Sequence, residues 1–498
     1  MGGGLATLVR NAAATRGDHT GLVSGERRLT WAQVDAAVDA VAAGLADHGC
    51  GPGDRVALAL GNSIEAVTGY FGALRAGCVA VPVTAGATAP EVATLLADCE
   101  AVAVLADRSA LDAVRAAAAT ASPAPLVVVV GAPAAREVSL GSFAGAHRPV
   151  DIPPAQLAVL AYTAGTAGRP RGAMLTHASL GANVEQVAAL AHPAMTAEDV
   201  VLLVLPLSQL YALNGTLAQA ARVGATVVLA DVFDPVATLA LLAEQRVSVV
   251  PGVPSMFAAW AARPELGTAM AGVRLLLTGG APMPVAVARR VGAATGLALH
   301  QGYGLTEAGP GVTSTLVGGV AKPGSVGRPL PGVAVRLVDA DGDDVDEGDP
   351  GEIWVRGPNL FAGYWPDAAD GPRADGWFAT GDVAVLDEDG DLALVDRRTD
   401  LVLVHGFNVY PREVEQVLLT HPGVAEAAVV GVPDPTSGEA VRAYVVAAPG
   451  ARLVGRDVAD YAAARLARFK RPASVVVVDH LPHSATGEVA KGVLRGQG

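Results

Sequence analysis

The sequence predicts an α/β fold: a large N-terminal domain of parallel or mixed sheets, a small barrel-like subdomain, and a small α+β C-terminal cap. Three observations carry that expectation. From Gly53 to Leu105, and again from Leu157 to Leu229, short apolar runs alternate with Ala-rich helical periodicity, the pattern of βαβ units. Between Val333 and Leu386 the strand-like runs are separated by Asp/Gly turns. After Asp400 the pattern changes again, to single helices exchanged with strands.

In chain order, Val92-Ala93-Thr94-Leu95-Leu96 has helical spacing, while Val127 to Val130 and Val200 to Leu205 are runs of strand length. Val333 to Val338, Glu352 to Val355 and Ala384 to Leu386 read as strands of the barrel-like part. Pro411 to Leu419 reads as a helix with proline near its start, Ala425 to Gly431 as a strand, and Val458 to Phe469 as a second helix. These make a cap of about one hundred residues, an ordinary domain length.

Composition removes several classes of function. The apolar content is mostly Ala and Val in short runs, none long enough to span a bilayer. The first residues carry neither a myristoylation pattern nor a long apolar core, so a cytoplasmic protein is expected. A net charge of -14 argues against nucleic acid as a partner, because no broad basic face releases counterions. Cys50, Cys78 and Cys99 lack metal-ligand spacing and read as small buried apolar residues. Lysine occurs only at 322, 470 and 491 while arginine is plentiful.

Four clusters carry chemistry. Tyr162-Thr163-Ala164-Gly165-Thr166-Ala167-Gly168-Arg169-Pro170-Arg171-Gly172 packs glycines, hydroxyls and basic groups directly after an apolar run. Glycines let backbone N–H groups approach an anion, so this is the make-up of a phosphate cradle; it is equally that of a Gly-rich surface turn, and it is not a Walker loop. Gln301-Gly302-Tyr303-Gly304-Leu305-Thr306-Glu307, preceded by Thr278-Gly279-Gly280-Ala281-Pro282, offers a flat ring, a phosphate donor and a hard oxygen ligand. Thr380-Gly381-Asp382 presents a carboxylate on a short Gly loop, and Asp396-Arg397-Arg398-Thr399-Asp400 runs towards Gly406-Phe407-Asn408-Val409-Tyr410-Pro411. Each cluster taken singly also reads as a turn.

Together and in this order they resemble the adenylate-forming superfamily of acyl-CoA synthetases, aryl-CoA ligases, luciferases and peptide-synthetase adenylation domains. The resemblance extends over Leu29-Thr30-Trp31, Thr176-His177, Pro206-Leu207, Phe233-Asp234-Pro235, Gly351-Glu352-Ile353, Gly363-Tyr364-Trp365 and the tail Leu481-Pro482-His483-Ser484-Ala485-Thr486-Gly487. It implies that a carboxylate attacks the α-phosphate of ATP to give acyl-AMP and pyrophosphate, and that the thiol of CoA then displaces AMP. It also implies domains at 1–396 and 401–498, with a mobile cap turning on a hinge at 397–400.

By residue match, Thr163, Gly165, Thr166 and Gly168 are expected to cradle pyrophosphate, with Arg171 supplying positive charge where the family has lysine. Gln301 and Gly302 lead into Tyr303, whose ring is expected to face adenine opposite Gly280, Ala281 and Pro282. Thr306 is matched to the α-phosphate, Glu307 to Mg2+, Asp382 and Arg397 to the ribose, and Gly406 to the passage for CoA. The acid pocket is expected to be bounded by Gln209, Tyr211, Gly215, Gly279, Gly302, Gly309, Pro310 and Gly311. With glycines, proline and tyrosine but no arginine there, a neutral-tailed fatty or aryl acid is favoured over malonate or an amino acid.

Departures from the family pattern matter as much. Ala164 and Ala167 replace hydroxyl residues, and Gln209 replaces a gating histidine. The largest is Glu488: the family tail reads Gly-Lys, whose lysine bridges the α-phosphate and the substrate carboxylate, and here the match is Gly487-Glu488. Losing one preorganised donor costs about 2.7 to 4 kcal/mol, and a reversed charge at least as much. Genome bias would supply arginine, not glutamate. Lys491, one turn on, reads as a solvated charge. The expected function is therefore an acid-CoA ligase whose adenylation step is impaired; the alternatives are an enzyme loading a carrier protein, or a pseudoenzyme that binds nucleotide or acyl-AMP.

Overall fold

The computed structural model describes residues 4–498 except 85, 148–149, 164–169, 340, 347, 398–399, 405–406, 435–437, 484–488 and 496–498. Its contacts divide the chain into two compact units, Met1–Ala334 with Arg356–Phe378, and Val335–Val355 with Ala379–Gly498. Most of the strands read as barrel-like thus group with the C-terminal residues.

The first unit is built on two sheets. One has seven strands in the order Glu137–Ser139, Leu126–Val129, Ala103–Ala106, Arg55–Ala59, Val79–Pro82, Leu157–Thr163, Arg171–Thr176. All neighbours in it are parallel except the last pair, an antiparallel hairpin. The central strands are buried almost throughout, as expected of a parallel sheet covered by helices. Val79, Val104, Val129 and Leu160 meet Val92, Leu96 and Val114 from the covering helices. The helix Ala89–Asp98 starts where Thr88 and Glu91 form a capping box.

The other sheet has nine strands, with Thr226–Leu229, Val200–Leu203, Val249–Gly252, Leu275–Thr278 and Leu299–Gly304 parallel in its middle. Gly311–Ser314 returns antiparallel on Leu299–Gly304. The expected βαβ alternation and mixed sheets are therefore present.

The second unit holds a four-stranded sheet, Ala334–Val338, Gly351–Arg356, Phe378–Leu386 and Leu392–Arg397, and a five-stranded sheet packed by helices. The helix Pro411–Leu419 matches its predicted span, with proline in its first turn. The second helix does not: it ends at Ala463, and a 3-10 turn follows at Arg468–Lys470. Leu466 leaves the helix to fill the cap core, and Lys470 Nζ reaches both oxygens of Glu413 at 2.7 Å. Tertiary packing overrides the helical propensity of this Ala-rich run. No helix among the described residues is long and apolar enough to cross a membrane. The three cysteines are free and buried.

Candidate active site

In the first unit the clusters expected to bind nucleotide follow the carboxyl ends of strands, where open α/β sheets place ligands. Leu157–Thr163 runs into the Gly-rich segment, Leu275–Thr278 into Gly279–Pro282, and Leu299–Gly304 into a 3-10 turn at Thr306–Ala308. Thr278 and Gln301 are register partners, so the predicted adenine segments continue from neighbouring strand ends. Gly280 and Pro282 are exposed, Ala281 and Gly302 half-buried, and Gln301 and Tyr303 buried. Gly280 has a φ of 79°, a turn that a side chain would strain.

The Gly-rich segment joins the two strands of a hairpin in which Thr163 pairs with Arg171. Gly165, Thr166 and Gly168 lie outside the described residues, while Thr163 and Arg171 mark both ends. Arg171 directs Nη2 to Asp370 Oδ2 at 2.6 Å, and its guanidinium lies 3.7 Å from the centre of the Tyr364 ring. The Tyr364 hydroxyl donates to Glu307 Oε1 at 2.5 Å. Glu307 is 8% exposed, and among the described residues no ion pair neutralises it. A buried carboxylate with a hydroxyl on one oxygen and no cation is a costly arrangement by itself and a fitting hard-oxygen ligand for magnesium.

Of the residues expected to bound an acid pocket, Gly215 and Gly279 lie beside Tyr211. A Cβ built on Gly215 would lie 3.1 Å from the Tyr211 ring and 3.6 Å from Pro310, and one on Gly279 would lie 3.5 Å from the ring and 3.6 Å from Gly302 O. Burial raises the Tyr211 hydroxyl pKa. Gln209 is half-buried at the start of the helical stretch Leu210–Val223, whose middle, Leu213–Ala218, is a π-helix. Such wider turns concentrate at functional sites.

At Gly309 and Gly311 an added Cβ would not meet the Tyr211 ring. A Cβ on Gly311 would meet Leu330 at 3.0 Å and Asn183 at 3.3 Å, and one on Gly309 would meet Asn359 O at 3.2 Å. Three asparagines hold this segment: Asn214 Nδ2 donates to Gly309 O at 2.6 Å, Asn359 Nδ2 to Ala308 O at 2.8 Å, and Asn183 Nδ2 to Gly311 O at 3.0 Å. Sequence reasoning missed all three, because buried amides have no spacing signature. It quoted Tyr364 only for the resemblance and gave it no role.

In the second unit, Asp382 follows Gly381, whose φ is 78°, and pairs in register with Arg397. The Arg397 side chain, Gly406, Thr399 and Glu488 lie outside what is described. A buried charge cluster stands beside Asp382. Burial lowers the Arg412 pKa to about 10 against the opposing pull of Asp396, Glu415 and Asp382. Asp396 Oδ2 accepts the Arg412 backbone N–H at 2.7 Å. Lys491 is not the solvated charge expected: Nζ lies 2.9 Å from Glu415 Oε1, with the two side chains 16% and 15% exposed. The reason is the helix Lys491–Arg495, which buries Leu494 and carries Lys491 against the cap.

Strand-end nucleotide motifs on a large α/β unit, joined in sequence to a small α+β unit, define an adenylate-forming enzyme. The chain belongs to the AMP-binding enzyme family, whose profile matches residues 9–365, with the AMP-binding enzyme C-terminal domain matching 413–488. It is an enzyme of the ATP-dependent acyl-CoA synthetase class. A feruloyl-CoA synthase from Amycolatopsis sp is 38% identical over 96% of this chain and 95% of its own length. A long-chain-fatty-acid–CoA ligase from Yersinia pestis is 34% identical over 99% of this chain and 94% of its own. The crystal structure of ATP-bound MatB from Rhodopseudomonas palustris superposes with a TM-score of 0.91 at 34% identity, covering 99% and 98% of the two chains.

Proposed function

We propose that the protein activates a neutral-tailed fatty or aryl carboxylic acid to its acyl-AMP and passes the acyl group to CoA, with the adenylation step slowed by Glu488. The observation that carries the substrate class is that Gly215 and Gly279 lie beside the Tyr211 ring, with Pro310 and Gly302 next to them, and that none of these four residues is charged. A second carboxylate or an ammonium in the substrate would enter unpaired there, which is costly. The relatives named for feruloyl and long-chain fatty acids support the same class.

In this reading Thr163 with Gly165, Thr166 and Gly168 holds the pyrophosphate, Arg171 draws the phosphates by charge, and Thr306 donates to the α-phosphate. Glu307 would hold magnesium, which would supply neutralisation of phosphate charge. Asp382 and Arg397 bind the ribose hydroxyls, residues 397–400 form the hinge, and Gly406 lines the way for the CoA thiol. We place the enzyme in the cytoplasm. Positioning and electrostatics carry the chemistry, so a misplaced charge is felt directly.

Glu488 favours a second reading, a protein that binds ATP or acyl-AMP without turnover. Pyrophosphate release across an acid panel, with and without CoA, separates the two. Release with monocarboxylic acids supports the ligase; no release with any acid, together with retained nucleotide binding, supports the non-catalytic reading. Release with malonate or a free amino acid as best substrate overturns the pocket assignment.

A further inference from the structure

The segment Phe361–Trp365 is not a nucleotide motif, yet it touches both chemical poles of the first unit's site. It runs beside the second hairpin strand: Ala362 N–H donates to Met174 O at 2.8 Å, Met174 N–H to Gly363 O at 3.0 Å, and Trp365 N–H to Gly172 O at 2.8 Å. Phe361 N–H donates to Glu307 O at 2.8 Å, fixing the same segment to the metal turn. Gly363 has a φ of 123°, and a Cβ there would sit 2.2 Å from Ala368 O, so the bend that aims Tyr364 requires glycine.

We propose that Tyr364 is a positioning residue that couples the metal carboxylate Glu307 to the phosphate-side cation Arg171. This rests on the reading of Glu307 as the magnesium ligand. The hydroxyl donates to Oε1, so Oε2 is the oxygen that would remain for the cation. The ring serves the other pole: its face carries the guanidinium, whose edge holds Asp370 through Nη2 and could exchange that partner for phosphate oxygens. A lysine would lack both the flat stack and the fork, so arginine here is not a neutral exchange. The Arg171 partner Asp370 is 74% exposed, and such a rim pair is weak enough to yield to a phosphate. A packing role alone leaves the hydroxyl unexplained, since the ring's edge contact with Phe361 does not involve it.

The test measures Mn2+ binding by electron paramagnetic resonance at saturating ATP, and metal-free ATP binding by calorimetry. Tyr364→Phe keeps the ring and removes the hydroxyl; it is expected to weaken Mn2+ on the order of tenfold, the loss typical of a hydrogen bond to a charged group, and to leave metal-free ATP binding unchanged. Arg171→Gln is expected to weaken both, and its Mn2+ loss combined with that of Tyr364→Phe should fall short of the product of the two. If Tyr364→Phe does not fold, an Arg171→Gln variant with wild-type Mn2+ affinity still refutes the coupling. Glu307→Gln is the control for the underlying reading. Unchanged Mn2+ affinity in that control sinks the metal assignment itself; a loss there with none in Tyr364→Phe sinks only the proposal, and a lowered melting temperature as the sole effect of Tyr364→Phe does the same.

Discussion

Lys491 and Glu415 form a nearly buried ion pair, Nζ to Oε1 at 2.9 Å, and the same carboxylate oxygen accepts the Val429 N–H at 2.7 Å. The ammonium that follows Glu488 in sequence is thus already matched to a carboxylate inside the cap. Burial raises the Glu415 pKa, and the Lys491 charge works against that rise. The basic group nearest to the tail motif holds the cap together.

Lys491→Met should therefore act on stability. Removing one partner of a buried pair leaves a charge uncompensated, at a cost of about 3 to 5 kcal/mol. Urea unfolding should show that loss, with double replacement by Met and Leu less damaging than Lys491→Met alone. A variant of full stability with adenylation abolished would instead place Lys491 at the phosphates.

Asp382→Ala should weaken Mg-ATP by about 1 to 3 kcal/mol, the usual cost of unpaired polar partners. Calorimetry measures it directly, and unchanged affinity removes Asp382 from the ribose site.

Gly279 and Gly311 should respond oppositely to added bulk. Gly279→Val adds side chain beside the Tyr211 ring and should shift preference towards smaller acids with little loss of stability. Gly311→Val drives into Leu330 and Asn183 and should cost about 1 to 3 kcal/mol of stability. Competition between short and long acids, read beside melting curves, checks both.

His177 supplies a pH dependence of stability. It is 1% exposed, neither ring nitrogen has a partner among the described residues, and burial lowers its pKa from 6.5 to about 4. Between these values the unfolded chain binds more protons than the folded one. The contribution is complete above about pH 6.5, falls as pH drops towards 4, and changes no further below it. The span amounts to about 3 kcal/mol. His177→Leu should flatten that part of the stability profile, and an unaltered slope contradicts the assignment.

The periodic features were legible in sequence. Val79–Pro82 and Leu275–Thr278 are apolar runs bounded by turns, and Pro411 opens its helix where a proline should. The family was legible because the strand-end clusters occur together and in order, whereas each taken singly also reads as a turn. What stayed hidden depends on contacts between distant segments. Tyr364 meets Glu307 across 57 positions and Arg171 from the hairpin, and nothing in Gly363-Tyr364-Trp365 announces either. Asn214 acts through a π-helix that hydrophobic spacing does not distinguish from an α-helix. Lys491 was misread because a charge near a chain end is usually solvated, and only the packing of Leu494 turns it inward.

In the proposed function Glu488 stands in sequence where the family has its bridging lysine and holds back acyl-AMP formation alone. The most direct measurement is ATP–pyrophosphate exchange before and after Glu488→Lys, beside thioester formation from chemically made acyl-AMP and CoA. Glu488→Lys should raise exchange by at least about 10²-fold, with the thioester step proceeding in both proteins. No gain in exchange would contradict it.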